Sequence, residues 1–387
     1  MTEPSQATID ILRTLIGFDT TSRYSNLELI HWARDYLAER GVTSELQFDE
    51  TGEKANLWAT IGPTDRPGIM LSGHSDVVPV DGQNWASDPF TLTPRDDALF
   101  GRGTADMKSF IAICLSHVDR FLAADLSTPI NLAFSYDEEV GCLGGRQLAA
   151  MLSGLEIKPR MCVVGEPTNM GVIIGHKGKS SWRCNVDGFE CHSSLTHQGV
   201  NAVEYAAEMI TFLRTLAREK RDNGPFDAAF DPPYTSVHTG VIQGGTALNI
   251  VPKHCFFDFE FRNLPEDDTM AMFAGVEAKA AELSREMRGV QADTGISFDR
   301  ISDFAGLGTD DTAEAVTLGK SFALTNTTGK VSFGTEAGHY QNAGVPTIIV
   351  GPGDIEQAHK PDEFVTLPQL ARCEEFFGRL IDWAKVN

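Results

Sequence analysis

Apolar residues recur at helical spacing through residues 8–18, where Ile9, Leu12, Leu15 and Ile16 share a face, and again through 27–40. This predicts two amphipathic helices at the start of the chain. The pattern then changes: residues 56–61 and 68–72 read as strands, the second a short continuous apolar run of the kind buried on both faces of a sheet. Similar runs follow at 130–135, 161–164 and 345–350, with helical spacing at 109–122 and 145–152. Strands alternating with helices predict an α/β fold.

From about residue 179 the order becomes strand (180–186), long helix (201–220), two strands (235–242 and 254–262), helix (267–287) and strand (296–303). That β-α-β-β-α-β order is the ferredoxin-like split unit, an α+β arrangement. Because 345–350 resembles the earlier buried strands, the chain is expected to return to its first sheet. Residues 179–303 are then an insertion in a domain made of 1–178 and 304–387.

Composition narrows the function. The chain has 387 residues, 42% of them hydrophobic, enough for two packed domains. Its formal net charge of −22 would repel a nucleic-acid backbone, and no apolar run reaches the ~18 residues of a membrane span. The first residues, Met1-Thr2-Glu3-Pro4-Ser5, lack the basic and apolar regions of a signal peptide, so a cytoplasmic location is expected. Seven cysteines, none spaced as C-x-x-C, are expected to be reduced and mostly buried.

Four apolar strands are each followed by a polar cluster: Gly73-His74-Ser75-Asp76, Tyr136-Asp137-Glu138-Glu139, Gly165-Glu166-Pro167, and Gly351-Pro352-Gly353 leading to His359. In open α/β sheets ligands bind beyond the carboxyl ends of the strands, so these distant segments should meet. A fifth polar segment, residues 101–108, places Asp106 near the start of a helix. Two imidazoles gathered with several carboxylates suit Zn²⁺, Co²⁺ or Mn²⁺. Asp76 follows His74 by two residues, and its carboxylate is expected to bond the imidazole's other nitrogen and fix its tautomer.

Gly73-His74-Ser75-Asp76-Val77-Val78-Pro79, Gly101-Arg102-Gly103-Thr104-Ala105-Asp106-Met107-Lys108, Asp137-Glu138-Glu139-Val140-Gly141 and Gly165-Glu166-Pro167-Thr168 resemble, in order and spacing, the signatures of the M20 metallopeptidase/deacetylase family. The resemblance covers nearly the whole chain. It implies a zinc-peptidase-like mixed sheet flanked by helices, and two divalent ions, Zn²⁺ first, with Co²⁺ or Mn²⁺ as alternatives. By that pattern Asp106 bridges the ions, His74 and Glu166 complete one site, and Glu139 and His359 complete the other. Glu138 is left as general base on a metal-bridging water, Asp76 supports His74, and the peptide bond after Asp106 is cis.

In the middle segment, Cys191-His192-Ser193-Ser194, Thr246-Ala247-Leu248-Asn249-Ile250-Val251-Pro252 and Phe261-Arg262 resemble the family's lid and dimerisation domain. The resemblance implies a homodimer in which His192 reaches the partner's active site to stabilise an oxyanion, while Asn249 and Arg262 hold the substrate carboxylate. The implied reaction is hydrolysis of the amide of an N-acyl amino acid. Residues 333–338 and 351–363 are similar to those of members that take N-acetylornithine. Desuccinylases for succinyl-diaminopimelate carry Ser-Asp-Gly-Arg where this chain has Thr335-Glu336-Ala337-Gly338. Thr335 is a candidate substrate contact, and Glu336 a partner for a cationic side chain. Other acyl-amino-acid hydrolases and dipeptidases, and a non-catalytic binding protein on the same fold, are the alternatives.

Overall fold

The computed structural model describes residues 3–387. Its chain contacts divide it into two compact units: one runs to Gly175 and takes in Leu307–Lys330 and Thr335–Asn387, the other is His176–Gly306 with Val331–Gly334.

The first unit is built on a nine-stranded mixed sheet. Four neighbouring strands at its centre, Ile130–Ser135, Ile69–His74, Met161–Val164 and Thr347–Ile349, run parallel. Parallel neighbours cannot be joined by tight hairpins, so helical crossovers cover both faces, and every residue of these four strands is buried, most of them apolar. Alternation assigns each side chain to one face: Ile69, Leu71, Leu132, Val163 and Ile348 pack with the Lys108–Ser116 and Leu367–Ala384 helices, whereas Met70, Ala133, Cys162 and Ile349 pack with Leu148, Leu152 and Tyr340. Ser44–Phe48 and Ala55–Ile61 extend the sheet antiparallel.

The register matters most for the site. His74 stands opposite Ser135, Ser72 opposite Val164, and Ile349 opposite Val164, so the four parallel strands end almost level.

The second unit has the β-α-β-β-α-β order. Its sheet runs Ser236–Gly244, His254–Asn263, Gly178–Asp187, Gly295–Phe304, all antiparallel, with the Ala202–Asn223 and Thr269–Val290 helices on one face. Trp182, Cys184, Val186, Phe257, Phe259 and Phe261 point inward at every second position, and Trp182 stacks on Phe273 at 4.4 Å. The opposite face carries polar pairs such as Arg183 with Asp258.

Several elements differ from expectation. The helix read over 109–122 is two, Lys108–Ser116 and Val118–Ala123, parted at His117, whose ring nitrogen competes for the Ile113 carbonyl at 2.9 Å. A small sheet of Thr93–Arg95, Ala98–Phe100 and Phe364–Thr366 was not anticipated, since three-residue strands carry almost no periodic signal. All seven cysteines are free and six are buried. Among the described residues no helix is long and apolar enough to cross a membrane.

Candidate metal centre

Because the parallel strands end level, whatever follows them converges. His74 is the last residue of its strand, Glu138 and Glu139 follow Ser135, and Glu166 follows Val164. The chain after Ile349 crosses Gly165 so closely that a Cβ on Gly351 would lie 2.0 Å from the Gly165 carbonyl oxygen, and one on Gly165 would lie 1.9 Å from the Phe110 ring. Only glycine fits such an approach. Asp106 arrives from the glycine-rich turn preceding the Lys108–Ser116 helix, and its peptide bond to Met107 is cis.

Asp106 sits between two imidazoles. Its Oδ1 lies 2.9 Å from His74 Nε2 and its Oδ2 lies 3.3 Å from His359 Nε2. Beyond His74 is Glu166 at 3.7 Å; beyond His359 is Glu139 at 3.1 Å. His74, Asp106 and Glu139 offer atoms within 4.8 Å of one another, and so do His74, Glu138 and Glu166. One carboxylate with an imidazole on each oxygen, and a glutamate beside each imidazole, is a donor set suited to divalent ions.

Electrostatics point the same way. Burial pushes the Glu139 carboxyl up to about 7, with Asp106 adding repulsion, and Glu138 and Glu166 are raised well above the carboxylate range, first by burial. Hydrogen bonds to Asp106 and Glu139 raise His359 to about 10. Burial opposes charge on His74, yet Asp106 and Asp76 hold it well above the histidine range. The cluster is a buried excess of negative charge that calls for cations.

Asp76 meets His74 by two routes, only one of them expected. His74 Nδ1 bonds the Asp76 backbone carbonyl at 3.0 Å, while the carboxylate oxygen is 3.5 Å away. The carboxylate accepts from Ser22 Oγ at 2.7 Å and from the backbone N–H groups of Glu138 and Glu139 at 3.0 and 3.3 Å. It therefore ties the acidic turn to the His74 strand.

Glu336 does not face a ligand. It is fully buried at the start of the Ala337–Asn342 helix, accepting from Ser72 Oγ at 2.7 Å and Ser135 Oγ at 2.6 Å, with Tyr340 beside it. It thus joins the His74 strand to the strand before Glu138. Thr335 is also buried, its hydroxyl accepting from Ala337 N at 3.1 Å. In the second unit, exposed His192 caps the Ser193–Gln198 turn through Ser194, and Ser193 N bonds the Asn249 carbonyl at 3.0 Å. Arg262, near the other end of the His254–Asn263 strand, pairs with Glu260 at 3.0 Å.

The sequence matches the model of peptidase family M20/M25/M40 over residues 70–383. The chain belongs to that family. It is 35% identical over 379 residues to an acetylornithine deacetylase of Myxococcus xanthus, covering 96% of this chain and 95% of the relative. Its fold is similar to an M20 family metallo-carboxypeptidase from Sulfolobus solfataricus (TM-score 0.78, 16% identity, 99% of this chain and 100% of that one). It is also similar to a dinuclear metal-binding M20 peptidase from Bacillus subtilis (TM-score 0.65, 15% identity, 98% of each chain). The chain is a hydrolase of this family.

Sequence reading missed the structural importance of Glu336, Ser72 and Ser135. No spacing marks them; an acid between small residues at a strand-to-helix turn is the sole hint. Glu336→Ala leaves buried hydroxyls without their acceptor, so thermal melting of the ion-free protein should fall by about 4–10 °C, with Glu336→Gln losing less. An unchanged melting temperature in Glu336→Ala would remove this role.

Proposed function

We propose that this hydrolase cleaves the amide of an N-acyl amino acid, N-acetylornithine first, releasing ornithine and acetate. The observation that carries the reading is Asp106, with His74 and Glu166 on one oxygen's side and His359 and Glu139 on the other's. These five residues would hold two divalent ions, Zn²⁺ first. Bound there, the ions would polarise the scissile carbonyl and acidify an attacking water.

Glu138 is the general base. It lies against the same atoms as the ligands yet is not needed to complete either set, and burial raises its carboxyl toward the proton affinity such a role uses. It takes the water's proton and delivers it to the leaving nitrogen.

The second unit supplies a lid and a homodimer contact in this reading. His192 and Asn249 lie beyond the His254 end of a strand whose other end carries Arg262, eight residues and about 27 Å along. A small substrate cannot span that distance. The reading therefore takes His192 and Asn249 from one subunit and Arg262 from the other, the histidine toward the oxyanion and the remaining two toward the substrate carboxylate. The acetylornithine deacetylase names of the relatives and the Thr335-Glu336-Ala337-Gly338 element favour acetylornithine over succinyl-diaminopimelate.

Comparing kcat/KM on acetylornithine, succinyl-diaminopimelate, acetylmethionine and a dipeptide tests the substrate. Acetylornithine should lead, and Glu138→Gln should lower kcat by about 10²- to 10⁴-fold with KM little changed. A clear lead for another substrate would overturn the acetylornithine assignment, and full activity in Glu138→Gln would overturn the base. For the dimer, mixed dimers of His192→Ala and Glu138→Ala chains should regain activity that neither parent has. No recovery in confirmed mixed dimers would mean that His192 acts within its own chain.

A further inference from the structure

Of the four residues grouped around Asp106, His359 has the weakest local support. It lies on an irregular loop, its side chain is half-exposed, and its backbone is left-handed at φ +62°. Four residues on, Glu363 is 1% exposed and bonded on both oxygens. Its Oε1 accepts the backbone N–H groups of Gly103, Ala105 and Asp106 at 3.0, 2.8 and 3.1 Å; its Oε2 accepts from the Arg102 guanidinium, itself 1% exposed. The connection closes into a ring. Arg102 Nη2 donates to Gln83 Oε1 at 2.7 Å, and Gln83 Nε2 donates to the His359 carbonyl at 3.0 Å. Ala86 N bonds the Asp362 carboxylate at 3.0 Å, and the Arg102 guanidinium lies over the Trp85 ring at 5.0 Å.

A buried ion pair is a poor source of stability, because desolvation offsets much of its Coulomb energy; an apolar pair of similar volume would serve as well. What this pair supplies is geometry. Three backbone donors converge on one carboxylate oxygen and a guanidinium holds the other, so Glu363 cannot shift without breaking several bonds at once. It spans the backbone of Asp106 on one side and the His359 loop on the other.

Resting on the ligand reading above, we propose that Glu363, with Arg102 and Gln83, is a positioning clamp that sets the Asp106–His359 separation. It thereby sets the affinity of the Glu139–His359 half for its ion, and leaves the His74–Glu166 half, seated on strand ends, largely independent.

Calorimetric titration of the ion-free protein with Zn²⁺ tests this in wild type, Glu363→Gln, Gln83→Ala and His359→Ala. Wild type should show two binding steps per chain. Glu363→Gln should weaken one of them by about 10- to 100-fold, the scale of lost supporting bonds at metal sites, and Gln83→Ala the same step by less. It should be the step that His359→Ala abolishes, and adding Glu363→Gln to His359→Ala should leave the remaining step unchanged. Wild-type affinities in Glu363→Gln, or equal weakening of both steps, would overturn the clamp. If Glu363→Gln does not fold, the half-buried Gln83→Ala decides: selective weakening supports the clamp and wild-type affinities overturn it. Failure of wild type to take two ions would count against the ligand assignment instead.

Discussion

The level ending of four parallel strands is the constraint on which the site depends. Parallel strands share one C-terminal edge, and the pairing of His74 with Ser135 and of Ile349 with Val164 brings those ends to a common height. Crossovers through helices separate the strands in sequence, so the residues that meet there are drawn from segments as distant as His74 and His359. A register shift of one residue in any strand would turn its terminal side chain to the other face.

Convergence of this kind concentrates charge. Burial and mutual repulsion both oppose ionisation of Glu138, Glu139 and Glu166, and two histidines offset the excess only in part. The surrounding bonds hold this costly arrangement in place. Asp76 links the His74 strand to the acidic turn, Glu336 links the same two strands from beneath, and Glu363 links the Asp106 turn to the His359 loop. Three carboxylates outside the Asp106 cluster thus tie together the segments that carry it.

Much of this was legible in the sequence, for identifiable reasons. Continuous apolar runs such as 130–135 mark strands buried on both faces, and the split order of the second unit follows from long periodic helices between strands. The polar clusters stood out because they follow those runs directly. Contacts made by irregular backbone were not legible. Asp76 was read as bonding His74 through its carboxylate; that oxygen lies 3.5 Å from the ring nitrogen, the shorter 3.0 Å contact runs to the Asp76 backbone carbonyl, and the carboxylate also serves the next turn. Glu336 was read as a partner for a cationic side chain and is instead fully buried, bonded by hydroxyls from two separate strands. Glu363 was visible only as one more acid in a polar loop.

The central claim is that Asp106 lies between two ions, each completed by one histidine and one glutamate. The most direct measurement is the anomalous scattering of crystals grown with Zn²⁺. The account predicts two peaks about 3.5–4 Å apart, one on either side of the Asp106 carboxylate, bounded by His74 with Glu166 and by His359 with Glu139. A single peak in zinc-saturated crystals, or two peaks that Asp106 does not bridge, would contradict it.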